Sequence, residues 1–239
     1  MRRAWVEAEE AGVDCLFNWD HFFPLGGDRD GKHFEALTAL AAMAEVTERV
    51  ELGSLVFCNS YRNPDYLADA VRTIDHISGG RAILGIGAGW FRRDYNAYGY
   101  EFGTVGGRLT ALERALPRIE RRLDKLNPPP LRERIPILIG GGGVKRTLKL
   151  VARHADIWHA FGSAEVFQAK SAILEDHCAA EGRDPAAIER SWSVRARGSD
   201  PDELRTAGVT HFIVGLSGSR SGYDLAPLRE LVRWRDGLQ

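Results

Sequence analysis

The chain has 239 residues, 44% hydrophobic and 27% charged, with 32 basic side chains against 33 acidic ones. That is a globular composition, and the near-neutral balance excludes a charge-driven nucleic-acid or anionic-membrane partner. Three widely spaced cysteines, Cys15, Cys58 and Cys178, form no CxxC pair, so no disulfide framework and no metal site are expected, and a reducing cytoplasm is the expected location. No apolar run reaches the ~18 residues of a membrane span. In chain order, MRRAWVEAEEAG reads as an amphipathic helix rather than a signal peptide. A strand follows at 13–19 (VDCLFNW), then a helix from near Phe34 through ALTALAAMAEVTERV. Strand 50–57 (VELGSLVF) precedes a helix, LADAVRTIDHIS, entered at Asn63-Pro64. Strand 81–89 (RAILGIGAG) precedes LTALERALPRIERRLDKL, where Pro117 either kinks the helix or marks its start. Strands 135–141, 156–162, 189–194 and 210–218 each precede a helix: VKRTLKLVARHA, EVFQAKSAILEDHCAAEG, PDELRTAG and LAPLRELVRWRDG.

The strands are apolar on both faces rather than alternating, and each is followed closely by a helix. A parallel α/β sheet is therefore expected, and the count approaches a TIM (β/α)8-type barrel. The pattern opens on a helix, so the barrel is expected to lack its first β-strand. No linker or repeat divides residues 1–239, which read as a single barrel domain.

In such a barrel the working residues stand at the C-terminal strand ends. Strand 135–141 runs into Gly140, Gly141, Gly142 and Gly143, followed by Lys145 and Arg146 in the expected first turn of a helix. Glycine amides and a helix N-terminus suit an anion, and cations in a first turn oppose the macrodipole unless an anion is present. The pattern fits a phosphate cradle or, equally in kind, a tight turn with two solvated cations. Strand 13–19 ends in NWDHFFP, which sets Asp20 and His21 at the mouth as candidates for proton chemistry, or as a loop cap and a packed ring. The second strand end, CNSYRNP, crowds Asn59 to Arg62 before a proline. The third, GIGAGWFRRDYNAYGYEFG, is rich in glycine and aromatics. It suits either the walls of a flat conjugated ligand or a loop packed by its own rings.

Taken in order, AEEAGVDCLFNWDHF, LGSLVFCNSYRNPDYLADAVRTIDHISGGRAILGIGAGWFRRDYNAYGYEF, IPILIGGGGVKRTLKLVARHADIWH and AGVTHFIVGLSG resemble the luciferase-like monooxygenase superfamily. The resemblance is closest to its coenzyme F420-dependent oxidoreductases of actinobacteria and covers essentially the whole chain. It implies a TIM barrel with a deazaflavin across the mouth. Asp20 would be the cofactor-contacting acid and His21 the catalytic histidine. The bond Leu55–Val56 would be a non-prolyl cis peptide against one ring face, with Ala88 and Gly89 beside the ring and Gly140 to Gly143 on the cofactor phosphate. The family's opening strand, with an FGLF-like pattern, has no counterpart here, which would leave two unpaired sheet edges. In the sugar-phosphate dehydrogenase branch a glutamate follows GxGxG. Trp90 stands there instead, so that chemistry and that substrate are not expected.

The expected activity is hydride transfer between F420 and a small organic molecule, with a homodimer as the expected assembly. FMN is the alternative cofactor, in a flavin monooxygenase. A truncated barrel that binds a cofactor without turnover is the third reading. Trp19, Phe22, Phe23, Trp90, Phe91 and Tyr95 would line an apolar, aromatic mouth suited to a neutral substrate.

Overall fold

The computed structural model describes residues 1–194, 199–219 and 222–238. Its elements begin with α1 (Arg2–Glu10), β1 (Cys15–Asn18), α2 (Ala36–Val46), β2 (Glu51–Ser54), β3 (Phe57–Cys58), α3 (Pro64–Ser78) and β4 (Ala82–Gly87). They continue with α4 (Arg92–Tyr98), α5 (Val105–Leu123), β5 (Ile137–Gly140), α6 (Thr147–His154), β6 (Ile157–Phe161) and α7 (Ala164–Glu181). The last are β7 (Glu189–Ser193), α8 (Pro201–Ala207), β8 (His211–Ile213), β9 (Gly218–Ser219), β10 (Gly222–Tyr223) and α9 (Ala226–Asp236). The expected βα alternation is present, opening on a helix. Two compact units emerge from the backbone contacts: Phe17–Glu45 with Leu52–Gly140, and Met1–Leu16 with Val46–Glu51 and Gly141–Gln239.

Helix boundaries follow local chemistry. The Asn63 side chain accepts the Asp65 amide at 2.9 Å ahead of Pro64, and α3 ends on Gly79 in the left-handed region. The Asn-Pro pair is the start that the sequence announces, and a left-handed glycine is a common helix stop. Thr104 caps α5 through the Gly107 amide at 3.0 Å. Pro117 lies inside α5 and does not begin it.

In the unit holding Leu52–Gly140, β4 is wholly buried and pairs in parallel with β2, β3 and β5. The strand expected over 50–57 is broken. Gly53 faces Ile83 and Phe57 faces Ile86, so four residues on one side are set against three on β4. That is a bulge of one residue, and it falls on Leu55–Val56. Two elements escaped the sequence pattern. Residues 92–98 form α4 where a glycine-rich aromatic loop was expected. Strand 210–218 shrinks to His211–Ile213, with Gly218–Ser219 pairing back onto Gly222–Tyr223.

In the other unit β6, β7 and β8 run parallel, with His159 opposite Ser191 and Ser191 opposite His211. His159 lies 2.9 Å by Nδ1 from Ser191 Oγ and 3.3 Å by Nε2 from Ser193 Oγ. Hydroxyls serve a neutral ring on both sides, since each can donate or accept. Burial, aided by nearby His211, pushes the His159 pKa down to about 3 from 6.5. The group facing His211 is Glu189, at 3.5 Å. Because the unfolded chain binds the proton and the fold does not, this contribution is intact above about pH 6.5 and is lost as pH falls toward about 3. The slope from this one group is at most about 1.4 kcal/mol per pH unit. Urea unfolding across that range should show the loss, and His159→Gln should flatten the slope. An unchanged slope would remove His159 as its source.

Candidate functional site

Strand β1 delivers Asp20 and His21 to adjacent but different surroundings. Asp20 is buried and takes a bidentate pair from Arg62, at 2.6 Å to Oδ2 and 2.7 Å to Oδ1. The Cys58 amide adds a third hydrogen bond at 2.8 Å. Arg62 also reaches Glu35 at 2.9 Å. Burial works against the guanidinium charge, but the Asp20 and Glu35 oxygens outweigh it and raise the Arg62 pKa. Glu35 in turn accepts the Leu37 and Thr38 amides at the start of α2. Burial opposes its charge, yet these bonds lower its pKa. Three donors from the chain itself therefore hold Asp20. Arg62, from the crowded second strand end, is its partner.

His21 faces a different carboxylate. Its Nδ1 lies 2.6 Å from Asp94 Oδ2. Asp94 is fully buried and also accepts the Tyr61 hydroxyl at 3.1 Å and the Phe22 amide at 3.2 Å. With Nδ1–H given to a carboxylate, Nε2 is the nitrogen left to exchange a proton. Trp90 and Phe91 meet the His21 ring edge-on at 5.8 and 5.3 Å. The sequence reading did not pick out Asp94. Its signal was an acid flanked by aromatics just past a glycine-rich strand end, legible only once 92–98 is a helix that turns that acid inward.

Behind Asp94 sits an aromatic cluster. Tyr61, Tyr95, Phe22, Tyr100 and Phe102 pack with Cys58, and Cys58 Sγ is 3.1 Å from the Tyr95 hydroxyl. Burial raises the pKa of Cys58, Tyr61 and Tyr95, so all three stay neutral. Tyr95 is thus core and not a mouth wall, because its ring is enclosed between Tyr61 and Phe102. Trp90 is 64% exposed and Trp19 39% exposed.

The Leu55–Val56 bond is cis. The Val56 side chain occupies the space that a Cβ on Gly87 or Gly140 would need, at 2.7 and 2.9 Å. Gly89 is in the left-handed region, and a Cβ there would strike the Tyr95 hydroxyl. Ala88 is half-buried next to it.

The other unit carries Gly141, Gly142 and Gly143. Gly141, at φ +134°, is pinned to β6: its amide donates to the His159 carbonyl at 2.9 Å, and its carbonyl accepts Trp158 Nε1 at 2.9 Å. Thr147 packs into the turn, 3.2 Å from a Cβ on Gly141 and 2.8 Å from one on Gly143. Val56 and Thr147 thus crowd any side chain at Gly140 and Gly143, and the positive φ disfavours one at Gly141. The amides of Gly142 and Gly143 donate to nothing among the described residues. Lys145 and Arg146 do not sit in a helical first turn as expected, because α6 begins only at Thr147, where that side chain folds back on the glycines.

No described helix is long and apolar enough to cross a membrane. The chain is similar to the F420-dependent secondary alcohol dehydrogenase solved with an F420–acetone adduct. The match has a TM-score of 0.78 at 17% identity, over 90% of this chain and 88% of that one. That likeness establishes an α/β fold of the TIM-barrel type. An uncharacterized protein of Mycobacterium tuberculosis, Rv0953c, is 28% identical over 84% of this chain and 76% of its own length. The putative coenzyme F420-dependent oxidoreductase Rv3520c of the same species is 32% identical over 63% of this chain, which spans about half of it (48%). The luciferase-like monooxygenase model matches residues 1–235, and the chain belongs to that family.

Proposed function

We propose that the chain is an F420-dependent oxidoreductase, moving a hydride between the deazaflavin and a small organic substrate. The observation that carries this reading is the His21–Asp94 pair, 2.6 Å apart at a strand end beside Trp90 and Phe91, in a chain similar to proteins named for F420. When bound, F420 supplies a two-electron hydride donor or acceptor, and the protein supplies geometry and electrostatics.

The residues fit such a group. His21 holds or gives a proton at Nε2, oriented by Asp94, which fixes the tautomer and steadies the charged ring. Trp90 and Phe91 offer flat apolar surface. The strand end at Leu55–Val56, Ala88 and Gly89 offers backbone beside a ring. The unspent amides of Gly142 and Gly143 suit an anion. In this reading Asp20, which accepts from Arg62 and the Cys58 amide, sets the strand-end loops in place. A neutral, small carbonyl or alcohol is the substrate class the aromatic surface favours.

Titrating the purified protein with F420 and with FMN tests the reading. Micromolar F420 binding with no FMN binding is the expected result. Binding of FMN alone would favour the monooxygenase reading, and silence toward both would end the cofactor reading altogether.

A further inference from the structure

Lys170 stands on α7, in the same unit as the glycine turn. Its Nζ occupies the place where a Cβ on Gly142 would be, with Cε and Cδ 3.3 and 3.4 Å from that point. Two helical turns on, and so on the same face of α7, His177 Nε2 lies 2.9 Å from the Val144 carbonyl. One stripe of α7 thus runs along the turn, with His177 fixing its far end and Lys170 laid over its middle. A lysine usually extends its ammonium into water and keeps only the stem against protein. Here the ammonium is drawn back onto bare backbone, and glycine at 142 is what makes room. Among the described residues Lys170 has no hydrogen bond or ion pair, and the adjacent amides of Gly142 and Gly143 have no acceptor. A charged donor without a partner is thus laid against a turn whose amides are unspent.

We propose that Lys170 is the cation that receives the phosphodiester of F420 at the Gly142 and Gly143 amides. The proposal rests on the F420 reading and names a binding residue for it. Lys170 contributes a point charge, and the amides contribute direction.

The test is a fluorescence titration of wild type, Lys170→Met and Lys170→Arg with three ligands. They are F420, F420 stripped of its glutamates but keeping the phosphodiester, and the deazariboflavin that lacks the phosphate. Lys170→Met keeps the apolar stem and is expected to melt with wild type. It should weaken both phosphodiester ligands by about tenfold or more, the weight of one charged hydrogen bond, and leave the phosphate-free ligand unchanged. Its salt dependence should be shallower than that of wild type, and Lys170→Arg should recover most of the affinity. Equal loss for all three ligands, or none, overturns the proposal. So does a loss seen only with the glutamylated ligand, which would assign Lys170 to the carboxylate tail. If wild type binds none of the three, the F420 reading itself fails. If wild type binds F420 and Lys170→Met binds it as well, only the role of Lys170 fails.

Discussion

Asp20→Ala is expected to lower the free energy of unfolding by about 3–5 kcal/mol, the range for breaking a buried ion pair from one side. The loss arises because Arg62, left behind, keeps its charge in a largely enclosed position and retains only Glu35, at 2.9 Å. The Cys58 amide loses its acceptor at the same time. Urea denaturation reads the effect directly as a shifted midpoint at constant slope. Asp20→Asn, which keeps an acceptor for Cys58 but not the charge, should lose less. The alternative role, direct contact with a cofactor, makes the opposite prediction: an unchanged midpoint and weakened F420 binding. That result would return Asp20 to the ligand.

His21→Ala should slow the chemical step by on the order of 10²–10⁴-fold, the usual contribution of a positioned acid or base. F420 affinity should change far less, since the proposed ring contacts are backbone and aromatic surface rather than His21. Single-turnover oxidation of reduced F420 by a panel of small carbonyl acceptors measures it, and the ratio should not depend on which acceptor is used. Asp94→Asn should move the rate the same way by a smaller factor, and should shift the pH dependence of the step. An amide at 94 can still accept from Tyr61 and the Phe22 amide, but it no longer holds Nδ1–H with a charge. A purely structural Asp94 would lower stability without moving that pH profile. Rates within about threefold of wild type for His21→Ala would place proton transfer elsewhere.

The two carboxylates illustrate why types of residue were legible and partners were not. Asp20 and His21 are neighbours in the chain and looked like a pair, since both follow the same apolar strand. The fold separates their duties. Asp20 pairs with an arginine 42 positions away, and His21 with an aspartate 73 positions away. Neither distance leaves a periodic trace, because Arg62 arrives on the loop before α3 and Asp94 on α4. Asp94 also lay in a segment whose glycines and aromatics read as loop. Seven residues of helix, 92–98, are too few for periodicity to announce; the fold anchors them through Tyr95 beside Cys58 and through Asp94 bonded to His21, Tyr61 and the Phe22 amide.

What the sequence determined by itself was the order and type of the long elements, since apolar runs and amphipathic repeats are local and are bounded by Asn-Pro, Gly and Ser. It also determined where chemistry would gather, at the C-terminal ends of apolar strands, and the resemblance pointed to a cis bond at Leu55–Val56, where the structure has one. Tertiary structure alone decided which acid serves which base, what crowds Gly140 and Gly143, and that the Lys170 ammonium lies on Gly142. These depend on Val56, Thr147 and a helix more than twenty residues further on, brought within contact distance by packing. A one-dimensional pattern records that a side chain is missing, and only the folded chain supplies the neighbour that forbids it.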